Sequence, residues 1–101
     1  MRSIRFTPQA KNDLIEITDY IARHSLLAAQ KTIDSIEHDL NRLSLTPGIG
    51  HRRSDVDNPH YRFWNVKRFV IAFRFDDQTL TLVRIIHGSR DIRAIMNEIE
   101  S

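Results

Sequence analysis

The sequence predicts a single α+β domain with the element order β-α-α-β-β-β-α, and three observations carry that prediction. Two successive stretches with apolar residues at helical spacing fill the first half of the chain. Three runs dense in aromatic and β-branched residues fill the second, and a short amphipathic stretch follows them. Helices segregated to one face of a mainly antiparallel sheet define the class, here with an α-hairpin packed on that face. At 101 residues, 41% of them hydrophobic, residues 1–101 suffice for one domain with its own core.

Over residues 3–7, Ile4 and Phe6 alternate with Arg5, the period of a strand. Thr7 and Pro8 then mark a helix start. Threonine can accept a backbone N–H as N-cap, and proline at the first helical position loses no hydrogen bond. From residue 8 to about residue 24, Ala10, Leu14, Ile17 and Ile21 share one stripe, with Tyr20 beside it and Asp13, Glu16 and Asp19 off it. The pattern restarts at Ser25, where Ala29, Ile33, Ile36, Leu40 and Leu43 form a second stripe. So short a join makes the two helices an antiparallel hairpin. Thr46-Pro47-Gly48-Ile49-Gly50 breaks the second helix, and a polar stretch from His51 to His60 follows, to which no regular structure is assigned.

The three β-rich runs cover residues 61–66, 69–75 and 79–87. Lys67-Arg68 and Asp76-Asp77-Gln78 separate them, gaps short enough for an antiparallel meander. With Asp77-Gln78 as a two-residue turn, Phe75 opposes Leu80, Phe73 opposes Leu82 and Phe69 opposes Ile86. That apolar face is directed at the helices. Val70, Ala72, Val83 and Ile85 take the other face, with Arg68, Arg74 and His87 at its ends. Gly88-Ser89-Arg90-Asp91 ends the sheet, Ser89 being placed to cap a last helix and Asp91 to complement its dipole. Ile92, Ile95, Met96 and Ile99 make that helix's stripe.

Composition removes several classes of function. No cysteine is present, so neither a disulfide framework nor thiolate chemistry arises. Arg2, Arg5 and Lys11 interrupt the N-terminus, against a signal peptide, and no apolar run nears the ~20 residues of a membrane span. A cytoplasmic protein without membrane association is expected. No Gly-rich phosphate loop or nucleophile elbow occurs, and no cofactor is expected. His51 and His60 flank Asp55 and Asp57 at a spacing that matches no compact zinc motif, so no metal is expected either. The net charge is +2, the pI is about 9.4, and arginine greatly outnumbers lysine. Arginine's planar fork suits phosphates and carboxylates, so a basic surface here fits nucleic acid or an acidic protein.

Several segments resemble one family in the right order. Phe6-Thr-Pro-Gln-Ala-Lys-Asn-Asp-Leu14 with Ile17-Thr-Asp-Tyr-Ile21 resembles the opening of ParE-type toxins, as does Pro47-Gly-Ile-Gly50 followed by basic residues. Val66-Lys-Arg-Phe-Val-Ile-Ala-Phe-Arg74 is similar to the central strand pair of the ParE/RelE superfamily, and Val83-Arg-Ile-Ile-His-Gly-Ser-Arg-Asp-Ile92 to its most recognisable motif. The resemblance covers nearly the whole chain. It implies the toxin component of a type II toxin–antitoxin pair, of the kind tied to plasmid stabilization. ParE toxins act on DNA gyrase, the RelE branch cuts mRNA on the ribosome, and in both the antitoxin lays an extended segment and a helix over the toxin. The implied partners are a cognate antitoxin, in a hetero-oligomeric complex, and DNA gyrase.

Whether such a chain cuts RNA turns on its acid/base set. Attack by a 2′-hydroxyl needs a base, an acid and cations around the phosphate. His87 has a suitable unperturbed pKa, and Arg62, Arg74 and Arg84 supply charge, which makes these four the nuclease candidates. Against that reading, Gly88 follows His87, lysine is scarce in the strands, and a histidine beside Gly-Ser serves equally as a hydrogen-bonded strand end. The preferred reading is a gyrase-directed binder with no catalytic residue of its own. Its target surface is assigned to Arg90 and Arg93 with Arg52 and Arg53. Trp64, Arg62, Arg74 and Ile95 are assigned to the antitoxin, since exposed aromatics and arginines anchor interfaces. A third reading is a degenerate member that binds its antitoxin and harms nothing.

Overall fold

Two side-chain caps start the helical hairpin. Thr7 is extended (φ −66°, ψ 158°) and its hydroxyl oxygen accepts the N–H of Ala10, opening α1, Pro8–Ala22, with the proline in its first turn. Ser25 accepts the N–H of Ala28 at 3.0 Å and opens α2, Leu26–Leu45. Between them the N–H groups of His24 and Ser25 both turn back onto the Ile21 carbonyl, which ends α1 slightly before its sequence pattern runs out. A 3-10 turn, Pro47–Ile49, follows α2. The computed structural model describes residues 1–99.

Four strands, β1 (Ser3–Phe6), β2 (Arg62–Val66), β3 (Phe69–Phe75) and β4 (Thr79–His87), form one sheet in the order β1-β4-β3-β2. The β2–β3 and β3–β4 pairs are antiparallel, while β1 runs parallel to β4. The hairpin and two strands lie between β1 and β4 in sequence, the long connection that a parallel pair requires. The last helix is α3, Ile92–Ile99.

The sheet is buried on both faces. Ala10, Ile36, Leu40 and Leu43 of the hairpin pack with Ile71, Phe73, Leu80, Leu82 and Ile85 on one side. On the other, Val70, Ala72, Val83 and Ile86 pack with Tyr61, Phe63, Val56 and the Ile92 and Met96 side chains of α3. The helices are therefore not segregated to one face, as alternation suggested. Val70-Ile71-Ala72-Phe73 and Ile85-Ile86 are continuous apolar runs, and such strands need cover on both sides. The polar stretch after Gly50 contributes to that cover through Val56, and His51 exchanges two backbone hydrogen bonds with Phe63, 2.7 and 2.8 Å, beside β2. Gly50 itself has to be a glycine, because a Cβ there would meet the Phe73 ring at 2.5 Å.

A bulge corrects the predicted register. Phe75 opposes Leu80 and Phe73 opposes Leu82 as expected, but Ala72 then opposes Arg84, leaving Val83 as the extra residue. Phe69 consequently pairs with His87 rather than Ile86. Ile85 moves to the hairpin side and Ile86 to the α3 side, the reverse of the uniform count, because one inserted residue flips every later side chain. Phe73 and Arg74 remain on opposite faces: Phe73 is fully buried and Arg74 exposed.

Beyond Leu82, β1 has ended and the outer edge of β4 needs other partners. Thr7 supplies two, its N–H donating to the Leu82 carbonyl at 3.0 Å and its hydroxyl to the Val83 carbonyl at 2.9 Å. Asp13 supplies the next, its Oδ2 accepting the Ile85 N–H at 3.0 Å. The same carboxylate receives the Arg84 guanidinium in bidentate fashion, at 2.7 and 3.1 Å. Asp13 lies off the apolar stripe of α1, as its spacing says, yet it is only 6% exposed, because that flank of the helix meets the backbone of β4. At the other end of β4, Asp91 caps α3 by accepting the Ala94 N–H at 3.1 Å; Ser89, assigned that task from sequence, bonds His87 instead.

Asp13→Ala strands a half-buried guanidinium and an edge N–H, and it is expected to lower unfolding free energy by about 3–5 kcal/mol in urea titration. The double change Asp13→Ala, Arg84→Ala should cost less than the sum of the single changes. Lys67 in the β2–β3 turn has a left-handed backbone, φ 54°. Lys67→Gly removes that strain and should raise stability by about 1 kcal/mol in the same measurement.

Candidate functional site

The hairpin overhangs the sheet where β2 turns into β3, and the overhang leaves an apolar groove of about 520 Å³. Ile17, Tyr20 and Ile21 of α1 and Ala28 of α2 form one wall, and Phe69 with the Lys67-Arg68 turn forms the other. Tyr20 stays 64% exposed at its rim and Leu27 on the next helix is equally open, so large apolar surface faces outward here. Glu16 stands on the helix side, while Lys67, Arg68 and His87 border the strand side. The sequence assignment missed this groove. Its one sign was Tyr20 lying beside the apolar stripe instead of within it.

A polar cleft of about 310 Å³ adjoins the groove, lined among others by Gln9, Asn12, Asp13, Arg84, His87 and Arg90. His87 is held in place there. Its Nδ1 accepts the Ser89 N–H at 3.1 Å and lies 2.7 Å from the Ser89 hydroxyl, and its ring meets Phe69 edge-on at 5.5 Å. Arg84 beside it is engaged by Asp13. The other two nuclease candidates lie elsewhere. Arg74 opposes Thr81 while His87 opposes Phe69, which at ~3.3 Å per residue separates them by about 17 Å along the ladder. Arg62 is on the edge strand, its guanidinium donating to the Gly50 carbonyl at 3.2 Å. The fold brings Arg84 and His87 to one cleft and leaves Arg62 and Arg74 out of it.

The four target-surface arginines are divided as well. Arg53 pairs with Asp55 at 2.9 Å and lies over the Phe63 ring, 5.8 Å from its centroid. That hydrogen-bonded pairing, with smaller help from the charges of Arg53 and Arg93, holds the Asp55 carboxyl below its ordinary 3.8. Asn97 of α3 fastens the same loop, accepting the Asp57 N–H at 2.9 Å and donating to the Asp55 carbonyl at 3.3 Å. Arg53 therefore holds the Asp55 carboxylate and Arg93 acts on it only through its charge, whereas Arg90 faces the polar cleft and Arg52 the far edge of the sheet.

Of the residues assigned to the antitoxin, Trp64 and Arg62 lie on the hairpin side of β2, Arg74 and Ile95 on the opposite side. Trp64 is half-buried and already well contacted. Its Nε1 donates to Asp39 at 3.1 Å, His51 stacks on it at 5.7 Å, and Arg42 lies over the ring at the same distance, 5.7 Å. Among the described residues no three His, Cys, Asp or Glu are grouped so as to hold a metal ion, and no helix is long and apolar enough to cross a membrane.

The Asp55 pairing has a measurable consequence. Its carboxyl titrates lower in the folded chain than the ordinary 3.8, so its contribution to stability is complete above that value and is lost as pH falls through the folded one. Arg53→Ala should bring the Asp55 pKa back up toward 3.8 in an NMR titration of the carboxyl carbons.

Comparison with known proteins bears on the whole of this arrangement. The chain is 29% identical over 94 residues to toxin ParE3 of Caulobacter vibrioides, a match covering 92% of each. It is 24% identical over 88 residues to toxin RelE3 of the same organism, covering 87% of this chain and 96% of that one. The chromosomal ParDE TA system from P. aeruginosa contains a chain of the same fold, with a TM-score of 0.69, 24% identity, and coverage of 86% of this chain and 96% of that one. Residues 4–92 match the family model described as the ParE toxin of the type II toxin–antitoxin system parDE. The protein belongs to the ParE toxin family of type II toxin–antitoxin systems.

Proposed function

We propose that this toxin acts by binding DNA gyrase, without making or breaking a bond through its own side chains, and that a cognate antitoxin silences it from the apolar groove. The dispersal of the candidate acid/base set carries the first half of that reading. Arg84 is paired with Asp13, and Arg62 and Arg74 lie outside the cleft that holds His87. Catalysis of phosphodiester cleavage needs acid, base and cations within reach of one phosphate. This arrangement supports a binder over a nuclease. The surface offered to gyrase is α3 with its preceding loop, where Arg90 and Arg93 are exposed.

For the antitoxin, the groove offers carbon surface from Ile17, Tyr20, Ile21 and Phe69, with Lys67 and Arg68 along one side. An amphipathic segment with carboxylates on one flank matches both features, in the manner of helix-in-groove recognition. Trp64 and Ile95 then take the extended part of a segment that continues around the sheet.

A supercoiling assay with purified gyrase tests the target. The wild-type chain is expected to inhibit supercoiling and trap linearised plasmid, Arg90→Ala with Arg93→Ala to weaken that inhibition, and His87→Ala to leave it unchanged. Unimpaired supercoiling together with mRNA cuts that His87→Ala abolishes in a translating extract would transfer the function to the ribosome. Tyr20→Ala should weaken antitoxin affinity about tenfold or more, as loss of an aromatic anchor does, measured by calorimetry.

A further inference from the structure

A second concentration of positive charge lies at the far end of the sheet from the groove, around Phe75. The Arg2 guanidinium is 5.5 Å from the centroid of that ring and the Arg62 guanidinium 5.9 Å. Both are held by neutral acceptors. Arg2 donates from Nε to the Asp76 carbonyl at 2.6 Å, and Arg62 donates from Nη1 to the Gly50 carbonyl at 3.2 Å. Arg52 and His60 join Arg62, Pro59 and Phe75 around a recess of about 160 Å³ that no carboxylate lines. On the opposite face of the same end, Arg5 and Arg74 both stand beside Thr81, one on each neighbouring strand. The acids nearby are Asp76 and Asp77 of the β3–β4 turn, and the Asp76 carboxylate accepts the N–H groups of Gln78 and Thr79 at 2.8 Å. The Arg53–Asp55 and Arg84–Asp13 ion pairs involve none of these arginines.

We propose that this end of the sheet is a contact site for the phosphodiester backbone of a nucleic acid. Carbonyls and a ring fix the Arg2 and Arg62 forks; the Asp76 carboxylate acts on the Arg2 charge from a distance, but neither fork is hydrogen-bonded to a carboxylate, so the site is oriented before an anion arrives and loses little side-chain entropy on binding it. Guanidinium forks match phosphate oxygens, and contacts to that backbone position a protein irrespective of base sequence. An isolated carboxylate would need one fork. Five arginines spread over both faces of one sheet end suit a polymer with a charge at every step. The recess is chiefly polar and offers no apolar seat for a peptide side chain, unlike the groove at the opposite end. The proposal does not depend on gyrase being the target.

Fluorescence anisotropy of the full chain with a short labelled DNA duplex, and with a single-stranded RNA of equal charge, over a series of salt concentrations tests it. Affinity should fall steeply with salt. Arg52→Ala and Arg74→Ala should each reduce the logarithmic salt slope by about one, because each removes one displaced counterion. Arg62→Ala is expected to do the same, with a thermal melt to show that the chain still folds. Arg52 and Arg74, which are exposed, keep the test decisive if Arg62→Ala does not fold. Lys31→Ala, exposed on α2, should leave the slope as it is. The tighter of the two nucleic acids identifies the source of the phosphates. An unchanged slope in the combined Arg52→Ala, Arg74→Ala variant would overturn the proposal. So would tighter binding of a polyglutamate of equal charge, which would make the partner an acidic protein.

Discussion

The seam between α1 and the open edge of β4 joins the two halves of the chain. β4 runs on past the end of β1, and its exposed backbone groups have to be paired by something other than a strand. Thr7 caps its own helix and satisfies two carbonyls of β4 with the same few atoms. Asp13 then reaches the Ile85 N–H and, by holding Arg84 as well, leaves no uncompensated charge in the seam. A bidentate pair this well enclosed is costly to break from one side, and its geometry fixes how α1 lies along the sheet.

Because the hairpin covers one face and α3 with the Val56 stretch the other, β3 and β4 are free to be apolar on both faces. The bulge at Val83 makes that possible, placing Ile85 under the hairpin and Ile86 under α3. It also sets where His87 comes to rest. After the shift, His87 stands opposite Phe69 at the meeting point of groove and polar cleft, its ring braced by Ser89 and Phe69. In a toxin family whose members share one fold, the position of such side chains matters more for function than the fold does. Here the cations are dealt out to separate ends and faces, and the surfaces they make differ in kind: an apolar groove with a basic margin at one end, and a guanidinium cluster over an aromatic ring at the other.

Much of the architecture was legible in the residues. Thr7-Pro8 and Ser25 announce their helices because capping is a local hydrogen bond between near neighbours. The limits of β3 and β4 follow from runs of β-branched and aromatic residues, and the pairing near their shared turn follows from the length of that turn. The resemblance to ParE toxins was visible in the order of several weak segments. The sites were less legible. The groove is built from α1, α2 and a strand turn distant in sequence, and none of those segments signals a cavity when taken alone.

What the sequence by itself determined, then, are the elements whose causes lie within a few residues: caps, helical stripes, strand runs and the α+β order. Tertiary structure decided whatever depends on backbone groups meeting across the chain. It buried Asp13, because only the assembled edge of β4 supplies the N–H and guanidinium that make burial of a carboxylate tolerable. It inserted the Val83 bulge, which no periodicity announces, and so reversed the faces of Ile85 and Ile86. It moved the α3 cap from Ser89 to Asp91 because the histidine two residues before Ser89 claimed that serine first. Local propensity proposes partners within reach along the chain; in each of these three places a partner from elsewhere, or a competing one, satisfied the same groups.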